Sequence, residues 1–125
     1  MKNTAAWVLG AGCVVSCAAN LAERYENGNR ALSQGDGPMY SVIIAPVLQL
    51  ALNTCIPKGT PGAARVIMVL ADISPEGAAR NVVVQPDSAG TDCVIEKISQ
   101  ARFRKPPLEP GQESFPIGLR IELGR

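Results

Sequence analysis

Arg65-Val66-Ile67-Met68-Val69-Leu70, then Ser74-Pro75-Glu76-Gly77, then Asn81-Val82-Val83-Val84 read as strand, tight turn and strand with almost no spacer. In the first run Val66, Met68 and Leu70 alternate with Arg65, Ile67, Val69 and Ala71. Both faces are therefore largely apolar, the mark of a central strand. Pro75 and Gly77 suit a type I turn extended into a short hairpin loop. The second strand sets Val82 and Val84 against Asn81, Val83 and Gln85 and should lie closer to solvent.

Downstream, Thr91 or Asp92 can cap a helix whose buried stripe is Val94, Ile95, Ile98 and Ala101. A closing strand follows, in which Phe115, Ile117, Leu119, Ile121 and Leu123 alternate with Pro116, Gly118, Arg120 and Glu122. Proline cannot donate to a ladder, so Pro116 argues for an edge strand. Upstream, Val47, Leu48, Ala51, Leu52 and Cys55 have the spacing of one helical face, with Pro46 in the first turn and residues 56–62 ending the helix. The order helix-strand-strand-helix-strand predicts an α+β fold: a small three-stranded antiparallel sheet with helices packed on one face.

Residues 60–123 in this order resemble the C-terminal domain of TonB-type energy transducers (the TonB/TolA-type fold). The resemblance rests on Gly62 before the first strand, the Ser74-Pro75-Glu76-Gly77 turn, and the helix running into Ala101-Arg102-Phe103-Arg104-Lys105-Pro106-Pro107, close to the family's aromatic-then-proline ending. It implies that the last strand recruits a partner peptide by strand addition. The implied docking residues are Phe115, Ile117, Leu119, Arg120, Ile121, Glu122 and Leu123, with Arg120 and Glu122 discriminating between partners. Energy transducers also keep a membrane anchor with a functional histidine and a long Pro-rich spacer. This chain has no histidine, and no spanning helix or long spacer is expected, so the resemblance implies a stand-alone domain reusing the fold.

Residues 4–15 are an uncharged run behind Lys2, about the length of a signal-peptide core. Val14-Val15-Ser16-Cys17 fits a bacterial lipobox, with Cys17 as the acylated residue, and Ala18 after it points to the outer membrane. The same residues also allow an ordinary cleaved signal or a buried amino-terminal helix. The expected organisation is a signal peptide at 1–16, a tether at 17–38 with room for one helical turn around Tyr25 or Leu32, and a domain at 39–125. The expected location is the bacterial periplasm, held to the membrane by the lipid anchor. In that compartment Cys55 and Cys93 are expected to form a disulfide stapling the two helices over the sheet.

Enzyme classes find little purchase. Without histidine the commonest general base is missing. The serines lack a base, and Glu96, Glu109, Glu113 and Glu122 have no spacing that pairs them. Neither a metal site nor a cofactor is expected. Lys plus Arg is 12 against 11 Asp plus Glu, which excludes generic polyanion binding, and no nucleic-acid partner is expected. Arg102, Arg104 and Lys105 around Phe103 form an alternative patch for an acidic partner. Two functions fit: a non-catalytic binding module that grips a protein or peptide in envelope transport or assembly, or an immunity or inhibitor protein that neutralises a periplasm-acting toxin or hydrolase.

Overall fold

The computed structural model describes residues 20–123; Cys17 and the signal segment lie outside them. Helix α1 spans 20–33, α2 Gly37–Cys55 and α3 Thr91–Gln100, and the strands are β1 Val66–Ile73, β2 Ala79–Gln85 and β3 Phe115–Glu122. The sheet is antiparallel with order β2-β1-β3, so the α+β class and the central place of the first strand are as expected. Gly77, at φ 93°, closes the hairpin, with Ser74 N–H donating to Ala78 C=O at 2.8 Å and Gly77 N–H to Ser74 C=O at 2.9 Å.

The two faces of β1 are buried against different helices. Ile67, Val69, Ala71 and Ile73 belong to a core with Tyr40, Ile44, Leu48 and Leu52 of α2 and Val94 and Ile98 of α3. Leu70 is equally buried yet stands outside that core, because it points to the opposite face. Its cross-strand partner there is Gly118, whose Cα lies against the Tyr25 backbone of α1.

Helix α1 corrects the expected tether. Leu21, Arg24, Tyr25, Gly28, Ala31 and Leu32 carry the buried and half-buried positions, spaced as one helical face. Asn27, Gly28 and Asn29 are weak helix formers that disguise the pattern. A side chain at Gly28 would collide with the backbone of Ile117 and Gly118, so the helix rests directly on β3. Towards its N-terminus Arg24 donates to Asn81 C=O at 2.7 Å and pairs with Asp72 at 3.8 Å. Asp72 also accepts from the Asn81 amide at 3.0 Å, where Asn81 occupies a left-handed bulge at φ 53°. Towards its C-terminus Leu32 enters the main core beside α2. Thus α1 begins over one face and crosses β3 at Gly118. A half-exposed ion pair such as Arg24–Asp72 contributes about 1 kcal/mol; burying a leucine such as Leu70 contributes about 2 kcal/mol, so packing holds this helix more strongly than charge does.

Helix α2 starts well before the expected first turn at Pro46. Pro38 opens it instead, and Pro46 sits inside. The hydrogen bond Pro46 cannot make would have gone to Val42 C=O; Val42 is 69% exposed, so water can reach that side of the helix. The residues expected to face the sheet do so, with Leu48, Ala51 and Leu52 buried and Val47 and Cys55 half-buried. Thr91 and Asp92 are not caps: the N-cap of α3 is Gly90 with φ 87° and no side-chain bond. Thr91 Oγ1 instead accepts from Ser88 N–H and donates to Ser88 C=O, closing the preceding turn.

Two outcomes follow. Gly118→Val would drive a branched side chain into the α1 backbone and should destabilise the protein by about 3 kcal/mol in urea unfolding. Tyr40 packs edge-on to Phe115, donates to Arg104 C=O at 2.7 Å, and has its pKa pushed up by burial to about 12. Its folded value lies above the ordinary 10, so this contribution is intact below pH 10 and is lost as pH rises towards 12. In alkaline titrations followed by circular dichroism, Tyr40→Phe should flatten the loss of stability over that window.

Candidate functional site

The β1–β3 register decides which part of β3 is open. Leu123 N–H donates to Arg65 C=O at 2.7 Å, continuing the ladder past Val66 and Glu122. In an antiparallel pair the bonded positions alternate. Ile117, Leu119 and Ile121 therefore turn their backbone groups inward to β1, while Pro116, Gly118, Arg120 and Glu122 turn theirs to the edge. Pro116 occupies a position where its missing N–H costs no ladder bond, which is why a proline is tolerated in this strand.

The outward groups are not all free. At Gly118 the edge is covered by α1: Gly28 lies against its nitrogen, and Asn29 Nδ2 approaches its carbonyl at 3.4 Å. Phe115 and Ile117 are buried in the core. These two residues of the expected docking strand cannot offer side chains to a partner, because α2 packs over them. Leu119, Ile121 and Leu123 are half-buried, and Arg120 and Glu122 are exposed. The accessible site is therefore the C-terminal half of β3.

A groove adjoins that half strand on one face of the sheet, and a second lies over β1 on the other. On the α2 side lies a groove of about 610 Å³, lined by Leu52, Ile56, Ala63, Ile121 and Leu123, with Lys58 and Arg65 at its rim. On the α1 side lies a smaller one of about 420 Å³, formed by Tyr25, Val66, Met68, Pro86 and Arg120. The cis Gln85–Pro86 bond ends β2 beside the second groove. A strand laid along Arg120 and Glu122 would send the side chains of one face towards the larger groove; the smaller one lies over β1 and the end of β2, on the far side of β3 from such a strand. No sequence pattern announced the grooves, since their walls come from α1, α2, the 57–65 loop and all three strands.

The other edge is partly closed. Phe103 N–H donates to Gly77 C=O at 2.9 Å and Ala78 bridges Arg102, so the chain after α3 extends the sheet beside the start of β2. Arg102, Arg104 and Lys105 are exposed around the buried Phe103 and remain available as the alternative patch. Glu96, Glu109, Glu113 and Glu122 are all exposed. Among the described residues no group of three or more Cys, Asp or Glu is placed to hold a metal ion.

Cys55 and Cys93 are disulfide-bonded, with Cα atoms 5.5 Å apart, joining the last turn of α2 to the first turn of α3 as expected. The bridge holds the α2 end that supplies Leu52 and Ile56 to the larger groove. A scan against protein-family models, a search of curated proteins and a search of solved structures each find no match to this chain.

Over its sequence separation of 38 the disulfide should stabilise the fold by about 4 kcal/mol in the chain-entropy view. Denaturant unfolding of the Cys55→Ser/Cys93→Ser protein against the oxidised form checks this, with amide exchange in residues 52–65 expected to rise most.

Proposed function

We propose that this domain is a non-catalytic binding module that captures an extended protein or peptide segment by strand addition to the C-terminal half of β3, as TonB-type C-terminal domains do. One observation carries the reading: the outward backbone groups of Arg120 and Glu122 stand on an edge that no described residue covers, beside the larger groove. Main-chain bonds along such an edge supply affinity, and the larger groove selects side chains. The rim of the larger groove holds Lys58 and Arg65 against Glu122. A segment with an apolar residue next to an acidic one suits it best.

The proposed setting is the bacterial periplasm, with the protein anchored to the outer membrane through an acylated Cys17 and serving envelope transport or assembly. Mass spectrometry of the mature amino terminus from native cells checks the anchor.

Short peptides selected by phage display on the full chain test the edge. Bound peptides should slow amide exchange at Arg120 and Glu122, whose N–H groups face outward, and leave Leu119 and Ile121 unchanged. Arg120→Pro deletes one outward N–H at a position equivalent to that of Pro116 and should weaken peptide binding about tenfold while leaving the ladder to β1 intact. Protection confined to Arg102, Arg104 and Lys105 would relocate the site and refute the strand-addition reading.

A further inference from the structure

Helix α2 has no charged residue in its 19 positions and is long and apolar enough to cross a membrane by length and composition. In this fold Tyr40, Ile44, Leu48, Ala51 and Leu52 bury one face in the core, which leaves the opposite face to solvent. That face carries Met39, Val42, Pro46 and Leu50, flanked by the uncharged Gln49 and Asn53. Met39, Val42 and Leu50 are 66%, 69% and 69% exposed; among the described residues the other exposed large hydrophobic is Val66. A continuous strip of this kind marks an interaction surface.

We infer that this strip pairs antiparallel with the same strip of a second copy of the chain. The inference is independent of the β3 edge. The strip is nearly its own reverse about Pro46: turned end for end, Val42 falls opposite Leu50, Met39 opposite Asn53, and Pro46 on itself. Its ends carry opposite charges. Exposed Asp36 precedes the first turn, and exposed Lys58, which shares the larger groove's wall with Gln49 and Asn53, follows the last. A two-fold arrangement brings Asp36 of each copy towards Lys58 of the other, and repeats every contact twice. Parallel pairing would set like charges together.

A lipid surface is the competing occupant, and the neighbouring charges do not select it. Asp36 and, on α3, Asp92 and Glu96 are interspersed with Lys58, Lys97, Arg104 and Lys105, all exposed. Such mixed charge lacks the basic cluster that an anionic headgroup layer attracts. The strip runs for about 20 Å, which places the pair at the small end of specific interfaces and makes the dimer reversible.

Met39 supplies a local probe. The full chain, in dilute non-ionic detergent, is exposed to peroxide across a concentration series, and Met39 and the half-buried Met68 are read by mass spectrometry. Oxidation of Met39 should slow as protein concentration rises, with Met68 unchanged. Val42→Glu, at an exposed position, should abolish that protection. Lys58→Asp should move its midpoint about tenfold higher in concentration, because the two-fold axis doubles the effect. The reciprocal exchange Asp36→Lys/Lys58→Asp should restore it. Oxidation independent of concentration, failure of the double exchange to restore protection, or protection appearing only with phosphatidylglycerol vesicles would each overturn the pairing.

Discussion

The contact between Gly28 and Gly118 is the constraint on which the rest of the architecture rests. Each glycine faces the other element's backbone, and a Cβ on either would collide with it. Helix and strand therefore meet at main-chain distance rather than across the usual layer of side chains. From that crossing α1 reaches Asp72 and Asn81 with one end and brings Leu32 into the main core with the other. Leu70 is sealed beneath it, so β1 is buried on both faces although the larger core is built mainly against α2 and α3.

The same crossing governs what the sheet can do at its edge. An edge strand exposes unpaired groups that invite other chains, and proteins cover or blunt such edges. Here Pro116 removes one outward donor, while Gly28 and Asn29 occupy the groups of Gly118. The chain after α3 covers the start of the opposite edge through Arg102 and Phe103. Arg120 and Glu122 remain, with the larger groove beside them. A short opening suits a reversible ligand better than open-ended sheet growth, because only a few main-chain bonds are on offer.

Helix α2 meets two demands at once. Its inner face fills the core and its C-terminal turn is fastened to α3 by the disulfide, so it is held against the sheet. Its outer face remains apolar without being needed for the fold. Solvated helices normally carry charge on that side, and none is present in α2.

The residue pattern alone determined the hairpin, the central β1 and the alternation in β3 with its edge proline, and it pointed to Cys55 and Cys93 as a pair once the expected signal segment and Cys17 are set aside. The signals for the strands and helices are local: period-two alternation, turn residues and helical spacing. Helix α1 was legible only in the spacing of Leu21, Tyr25, Gly28 and Leu32, and its run of Asn and Gly residues has the composition of a linker. What makes it a helix is burial against a sheet whose strands lie far away along the chain. Tertiary structure likewise decided which half of β3 is open, since Phe115 and Leu123 look alike in the alternating pattern, and only the placement of α1 and α2 buries one and leaves the other beside a groove. Periodicity reports which face of an element is apolar, and packing between distant elements decides which of those faces is already occupied.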